Sequence, residues 1–172
     1  RQIHITLQDG SKRSYENPLT VIDVAKDISE GLARNVISAN FNNVVVETRT
    51  LLKIDGTLVL YTWKDPEGKK AFWHSSSHVL AQALEKLYPG VKLTIGPVIE
   101  DGFYYDVDLG NLSISEKDFS VIETKMLEIS RKKHDFKMKS VSKSDALDKY
   151  RKEANSYKIE LIENLTDGEI TF

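Results

Sequence analysis

Apolar and polar residues alternate along the start of the chain, which is the pattern of a half-buried β-strand. Ile3, Ile5 and Leu7 form the apolar set, and alternate residues lie on one face of a strand. Asp9-Gly10 is a turn signal. The return from Ser11 to Tyr15 therefore predicts a β-hairpin.

A short helix is predicted after this hairpin. Thr20 and Asp23 have the spacing of a capping box, and an apolar stripe follows at Val24, Ala25 and Ile28. Short β-branched runs then predict strands at 35–41, 44–46 and 57–61. A hairpin, a helix and further strands indicate a compact α+β domain.

The periodicity changes from strand to helix near Trp63, and we place a domain boundary there. Asp65 is a candidate cap, and Pro66 suits the first helical position. The helix is expected to end near Tyr88, before Pro89-Gly90. The predicted domains are therefore 1–63 and 64–172.

The second domain also mixes strands and helices. A hairpin is predicted from 93–99 and 103–109, and capping boxes at Ser115 and Ser142 predict helices that reach about 129 and 154. Alternation from Tyr157 to Ile162 and from Glu169 to Phe172 predicts two final strands.

Two histidines on the long helix are the strongest chemical signal. His74 and His78 are four residues apart, so a helix places them one turn apart on one side. The apolar arc is expected to contain Phe72, Val79, Leu80, Ala83, Leu84 and Leu87. The residues expected nearly opposite that arc are His74, His78, Ala81 and Glu85. The pair is then either exposed without a role or part of a cleft.

The chemistry of such a pair is open from spacing alone. Neutral imidazole offers one donor and one acceptor, so the pair could bind a metal or position water. A zinc protease would have a glutamate directly after the first histidine, but Ser75 occupies that position. Glu85 is a conceivable third ligand, although a solvated helix charge is the simpler interpretation. No metal site is predicted.

Two further residues are candidates on strand periodicity. Tyr105 is expected to face the same way as Phe103 and Val107, and an aromatic side chain here fits either a core or a small polar ligand. Lys158 is expected to face away from Tyr157 and Ile159, as a solvent-exposed lysine would.

Composition excludes several classes of function. The chain of 172 residues has a net charge of −2, so it lacks the strongly basic balance typical of unselective nucleic-acid binding. It contains no cysteine, which excludes disulfides and thiolate chemistry from this chain. No apolar run is long enough to span a membrane.

Taken together, the segments resemble threonyl-tRNA synthetases along nearly the whole chain. The matching motifs are Ile5 to Ser11, His74-Ser75-Ser76-Ser77-His78, Ile95 to Asp108 and Ser156-Tyr157-Lys158. The resemblance implies a ubiquitin-like β-grasp (TGS) domain followed by an α+β editing domain of the threonyl/alanyl-tRNA synthetase type. That editing domain is expected to stop before its Cys-x-x-x-His segment, which would impair hydrolysis.

The same resemblance implies an editing function. His74 and His78 would hold the terminal ribose and a water, Lys158 would assist catalysis, and Tyr105 would line the pocket. The substrate would be mischarged seryl-tRNA(Thr), hydrolysed without a cofactor in this region. The parent enzyme would be a cytoplasmic homodimer that ligates threonine to tRNA(Thr), using ATP, magnesium and a zinc ion in other domains.

Two alternatives remain at this stage. One is a module that binds RNA or a partner protein without catalysis, with Arg131-Lys132-Lys133, Lys137, Lys139 and Lys143 as a basic surface. The other is a free-standing metallohydrolase built on the two histidines.

Overall fold

A computed structural model describes residues 2–132, 140–165 and 170–171. The chain divides into two compact units, Arg1–His74 (unit 1) and Ser75–Phe172 (unit 2). The division falls within a single long helix, and the domain boundary at Trp63 stays a prediction. Within the described ranges, no helix has both the length and the apolar character required to cross a membrane.

Unit 1 is built on a mixed sheet. In chain order its elements are β1 (Ile3–Leu7), β2 (Lys12–Tyr15), β3 (Leu19–Thr20), α1 (Val21–Ile28), α2 (Glu30–Asn35), β4 (Val36–Phe41), β5 (Val44–Glu47), β6 (Leu51–Leu52) and β7 (Gly56–Thr62). The sheet order is β2-β1-β7-β4-β5, and the pairing of β1 with β7 is parallel while the others are antiparallel. This is the predicted β-grasp arrangement.

The core of unit 1 follows from the alternation of the first strand. Ile3 and Ile5 are fully buried, and they pack with Val21 and Val24 of α1 and with Leu58 of β7. The predicted capping box is present, because Thr20 Oγ1 accepts from the Asp23 N–H and Asp23 Oδ2 accepts from the Thr20 N–H. The hairpin and the helix are therefore confirmed.

One short helix of unit 1 was not predicted. Ser29 caps α2 by accepting from the Leu32 N–H at 3.0 Å. None of its residues is buried, so its sequence carries no apolar stripe that could have revealed it.

A long helix, α3 (Pro66–Leu87), runs through the division between the units. The remaining elements, all in unit 2, are β8 (Lys92–Leu93), β9 (Val98–Ile99), β10 (Gly102–Phe103), β11 (Val107–Asp108), α4 (Glu116–Arg131), β12 (Ser140–Val141), α5 (Lys143–Lys152), α6 (Ser156–Glu163) and β13 (Ile170–Thr171).

The predicted hairpin of unit 2 is confirmed as two short ladders. Val98 pairs with Phe103, and Leu93 pairs with Val107. Between the ladders the strands stay connected, since the Thr94 and Asp106 N–H groups donate to Asp106 O and Ile95 O. The hairpin packs on α3 and α4 through a core that contains Ala81, Leu84, Leu93 and Ile122.

Two predictions for unit 2 were wrong. Residues 157–162 belong to helix α6 rather than to a strand, because Asn155 caps a helix there by accepting from the Lys158 N–H. Ala81, expected on the polar side of α3, is buried at 6% exposure. The packed face of α3 therefore extends toward the side that carries His78.

The end of the chain is described in part. Ile170–Thr171 form β13, which pairs with β12 as an antiparallel strand. Lys133, Lys137 and Lys139 of the predicted basic surface lie outside the described residues, as do Glu169 and Phe172.

Candidate functional site

Helix α3 carries both predicted histidines on exposed positions. His74 and His78 lie one turn apart, about 6 Å along the helix axis. His74 belongs to unit 1 and His78 to unit 2. Ser77, next to His78, is 3% exposed, so the exposed position of His78 lies directly beside a buried position of the helix.

Glu85 lies farther along the same side of α3. It is seven residues after His78, which places it about 10 Å along the axis and within about 20° of the same direction. Its carboxylate influences the pKa values of Tyr105, Tyr150 and Lys158, for each of which burial is the largest influence. We call Glu85, Tyr105, Tyr150 and Lys158 the Glu85 cluster.

Tyr105 reaches the Glu85 cluster from the hairpin. It lies between β10 and β11, and its ring packs against the core formed with Leu84 and Leu93. Burial raises the pKa of Tyr105, and the nearby Glu85 carboxylate raises it further. The phenol therefore stays protonated and can donate a hydrogen bond at neutral pH. The predicted orientation, shared with Val107, agrees with this packing.

Lys158 enters the cluster from helix α6. The prediction of a solvent-exposed strand lysine was wrong, because Lys158 is half-buried in the first turn of a helix. Burial lowers the pKa of Lys158, the positive charge of Lys149 lowers it further, and Glu85 opposes both. Burial thus makes the charged form of Lys158 less favourable than it would be in water.

Tyr150 is a member of the cluster that periodicity did not single out. Burial, followed by the carboxylate of Glu153, raises the pKa of Tyr150 to about 12. The charges of Tyr105 and Glu85 also raise its pKa, with smaller effects. The sequence signal was weak, since Tyr150 lies near the end of α5 among charged residues.

A groove lies between the hairpin and α6. It has a volume of about 470 Å³, and its lining includes Thr94, Asp106, Asp108, Tyr157 and Glu160. The Tyr157 hydroxyl donates to Asp108 Oδ2 at 2.9 Å across this groove, and the bond contributes to a lowered pKa of Asp108, after the larger effect of the Gly110 N–H.

Glu85, on the side of α3 that also carries His78, thus acts electrostatically on both Tyr105 and Lys158. His74 belongs to unit 1. Glu85 is exposed, as predicted for a solvated helix charge, and its charge acts on the pKa values of the other three members of the cluster. Among residues 2–132, 140–165 and 170–171, no three His, Asp or Glu side chains are grouped so that they could hold a metal ion.

Comparison with known proteins gives a consistent result for both units. Residues 3–62 match the TGS domain family. The threonine–tRNA ligases of Flavobacterium psychrophilum and Flavobacterium johnsoniae are 63% and 62% identical to this chain, and that of Cytophaga hutchinsonii is 50% identical. Each match extends over 170 residues, which is 99% of this chain and 26% of the relative.

Proposed function

Because this chain belongs to the threonine–tRNA ligase (threonyl-tRNA synthetase) family, we propose that unit 2 takes part in hydrolysing serine wrongly esterified to tRNA(Thr). The chain spans 26% of the length of the relatives it matches. For the longer enzyme we propose the ligation of threonine to tRNA(Thr) with ATP and magnesium, and a bound zinc ion, both through residues outside this chain. We also propose that the longer enzyme is a homodimer located in the cytoplasm.

The proposed reaction is needed because binding alone discriminates poorly between serine and threonine. Serine differs from threonine by one missing methyl group, which changes binding by only about 1–3 kcal/mol. A threonine-selective site would therefore attach serine at a harmful rate. A second site that is too small for threonine can remove the error by hydrolysing the seryl ester.

The observation that carries the proposal is the Glu85 cluster. In this cluster the Glu85 carboxylate, on the helix side that bears His78, acts on the pKa values of a protonated phenol, Tyr105, and of a half-buried amine, Lys158. A phenol and an imidazole can fix a ribose hydroxyl and a water by hydrogen bonds. An amine with a lowered pKa can accept a proton from that water or stabilise negative charge on the ester oxygen.

The reaction needs one water and no covalent intermediate. The water oxygen attacks the seryl carbonyl carbon, and the bond from that carbon to the ribose oxygen breaks. One water proton passes to the departing ribose oxygen, with Lys158 or His78 as carrier. The products are serine and tRNA with a free terminal ribose. A role for His74 in holding the ribose remains a prediction, since it lies in unit 1.

A binding measurement with this chain tests the proposal. The ligand is an adenosine in which an amide replaces the seryl ester, so that it cannot be hydrolysed. We expect chemical-shift changes at His78, Tyr105 and Lys158, and weaker binding of the threonyl analogue. Equal binding of both analogues, or shifts confined to other residues, would favour a module that binds without editing.

A further inference from the structure

Asn155 is a buried polar residue between α5 and α6, with 7% of its surface exposed. Its Nδ2 donates to the Leu93 carbonyl at 3.1 Å, and its Oδ1 accepts from the Lys158 N–H at 3.2 Å. We propose that Asn155 is a positioning residue, whose amide connects β8 to the first turn of α6 and so holds Lys158 in the Glu85 cluster. Its catalytic consequence rests on the proposed function.

The two hydrogen bonds require both halves of the amide. A serine could still accept from the Lys158 N–H, as serine does at other helix N-termini, but its side chain is too short to reach Leu93 as well. An aspartate would accept from the helix but could not donate to a carbonyl. Asparagine therefore meets both requirements, and cutting the bond to Leu93 leaves a buried carbonyl without its donor.

The backbone before Asn155 presents this amide to the hairpin. Ala154 has a φ of 51°, the left-handed conformation that ends α5. The Asn155 N–H then donates to Tyr150 O at 3.0 Å. The same turn thus fixes the chain beside Tyr150 and directs Asn155 toward Leu93, so two members of the Glu85 cluster depend on it.

The environment of Lys158 gives a readout that does not depend on catalysis. Its side chain is half-buried, and the charges that act on it come from Lys149 on α5 and Glu85 on α3. If the bridge is lost, the first turn of α6 can separate from β8 and water can reach Lys158. Hydration removes the burial that lowers its pKa.

The test follows the ¹³Cε resonance of Lys158 through a pH titration of this chain, with Lys158→Arg used to assign the signal. We expect Asn155→Ser to raise the pKa of Lys158 toward its ordinary value of 10.5. The matched control is Tyr157→Phe, which removes an exposed hydrogen bond between the same helix and the hairpin and should leave that pKa unchanged. An unchanged pKa in Asn155→Ser, or an equal rise in both variants, overturns the proposal.

If Asn155→Ser does not fold, the unmodified chain decides the question. Protection of the Asn155 Nδ2 protons from solvent exchange supports the bridge, and free exchange overturns it.

In the full-length enzyme, Asn155→Ser should lower kcat for seryl-tRNA deacylation by about tenfold to a hundredfold with little change in KM. If Lys158→Ala leaves deacylation unchanged, the proposed catalytic role of Lys158 is wrong. The hydrogen-bonded bridge through Asn155 is tested separately, by the pH titration.

Discussion

Gly96 lies directly against the ring of Tyr105. A Cβ placed on Gly96 would be 2.6 Å from Tyr105 Cε2 and closer still to Cδ2. The Thr94 and Asp106 bonds to the opposite strand hold the two residues in this register. Glycine at 96 therefore provides the space in which the Tyr105 ring packs.

Gly96→Ala should displace the Tyr105 ring and destabilise unit 2 by about 1–3 kcal/mol, the usual cost of overpacking. Denaturant unfolding followed by tyrosine absorbance measures the change. Gly31→Ala is the control, since its Cβ would meet nothing nearer than 3.9 Å, and it should stabilise α2 by about 0.5–1 kcal/mol. An unperturbed Tyr105 in Gly96→Ala would contradict this account of the packing.

Stability of unit 1 should depend on acid through Asp27. Its carboxylate accepts from Arg13 and from the Tyr15 hydroxyl, and these bonds, that of Arg13 first, hold the pKa of Asp27 below its ordinary 3.8. Because the folded-state pKa is the lower one, the contribution is present above 3.8 and disappears as the pH falls through the lowered value.

Asp27→Asn removes this titrating group. Urea unfolding of unit 1 at a series of acidic pH values should therefore show a shallower loss of stability in the variant than in the unmodified chain. The difference should shrink in high salt, because the pair is exposed and salt screens it. Parallel pH profiles for the two proteins would show that the bridge contributes nothing.

Ala154→Gly should stabilise unit 2. An alanine with a φ of 51° occupies the left-handed region, which costs a residue with a Cβ roughly 1–2 kcal/mol. Glycine removes that strain but adds freedom to the unfolded chain, so a net gain of about 0.5–1 kcal/mol is expected. Thermal unfolding measures it, and a lower Tm in the variant would contradict the backbone assignment.

Local signals in the sequence predicted much of the fold. The first hairpin was predicted from the alternation of Ile3, Ile5 and Leu7, and helix α1 from the capping pair Thr20 and Asp23. Each element could be predicted from one short segment, because these patterns act on neighbouring residues. Helix α6 was missed because Tyr157, Ile159 and Leu161 alternate as in a strand, and Ile162 alone is buried in it. Asn155 was the available signal, as an N-cap two positions before Tyr157.

The site was only partly predictable from sequence. The family resemblance named Tyr105, Lys158 and the two histidines, but periodicity described Lys158 and Glu85 as solvated charges. The effect of Glu85 on Lys158 depends on how α3 and α6 are placed in the fold, and these two helices are far apart in the sequence. Such pairings arise from tertiary packing and leave no local pattern.

The most direct test of the proposed editing pocket is seryl-tRNA(Thr) deacylation by the full-length enzyme. Lys158→Ala and His78→Ala are compared with Lys125→Ala, which removes a partly exposed lysine of α4 that pairs with Glu128. We expect the first two to lower the rate by about 10²–10⁴-fold, as loss of a proton-transfer group does, and the third to retain it. Unchanged deacylation in both Lys158→Ala and His78→Ala would contradict the account.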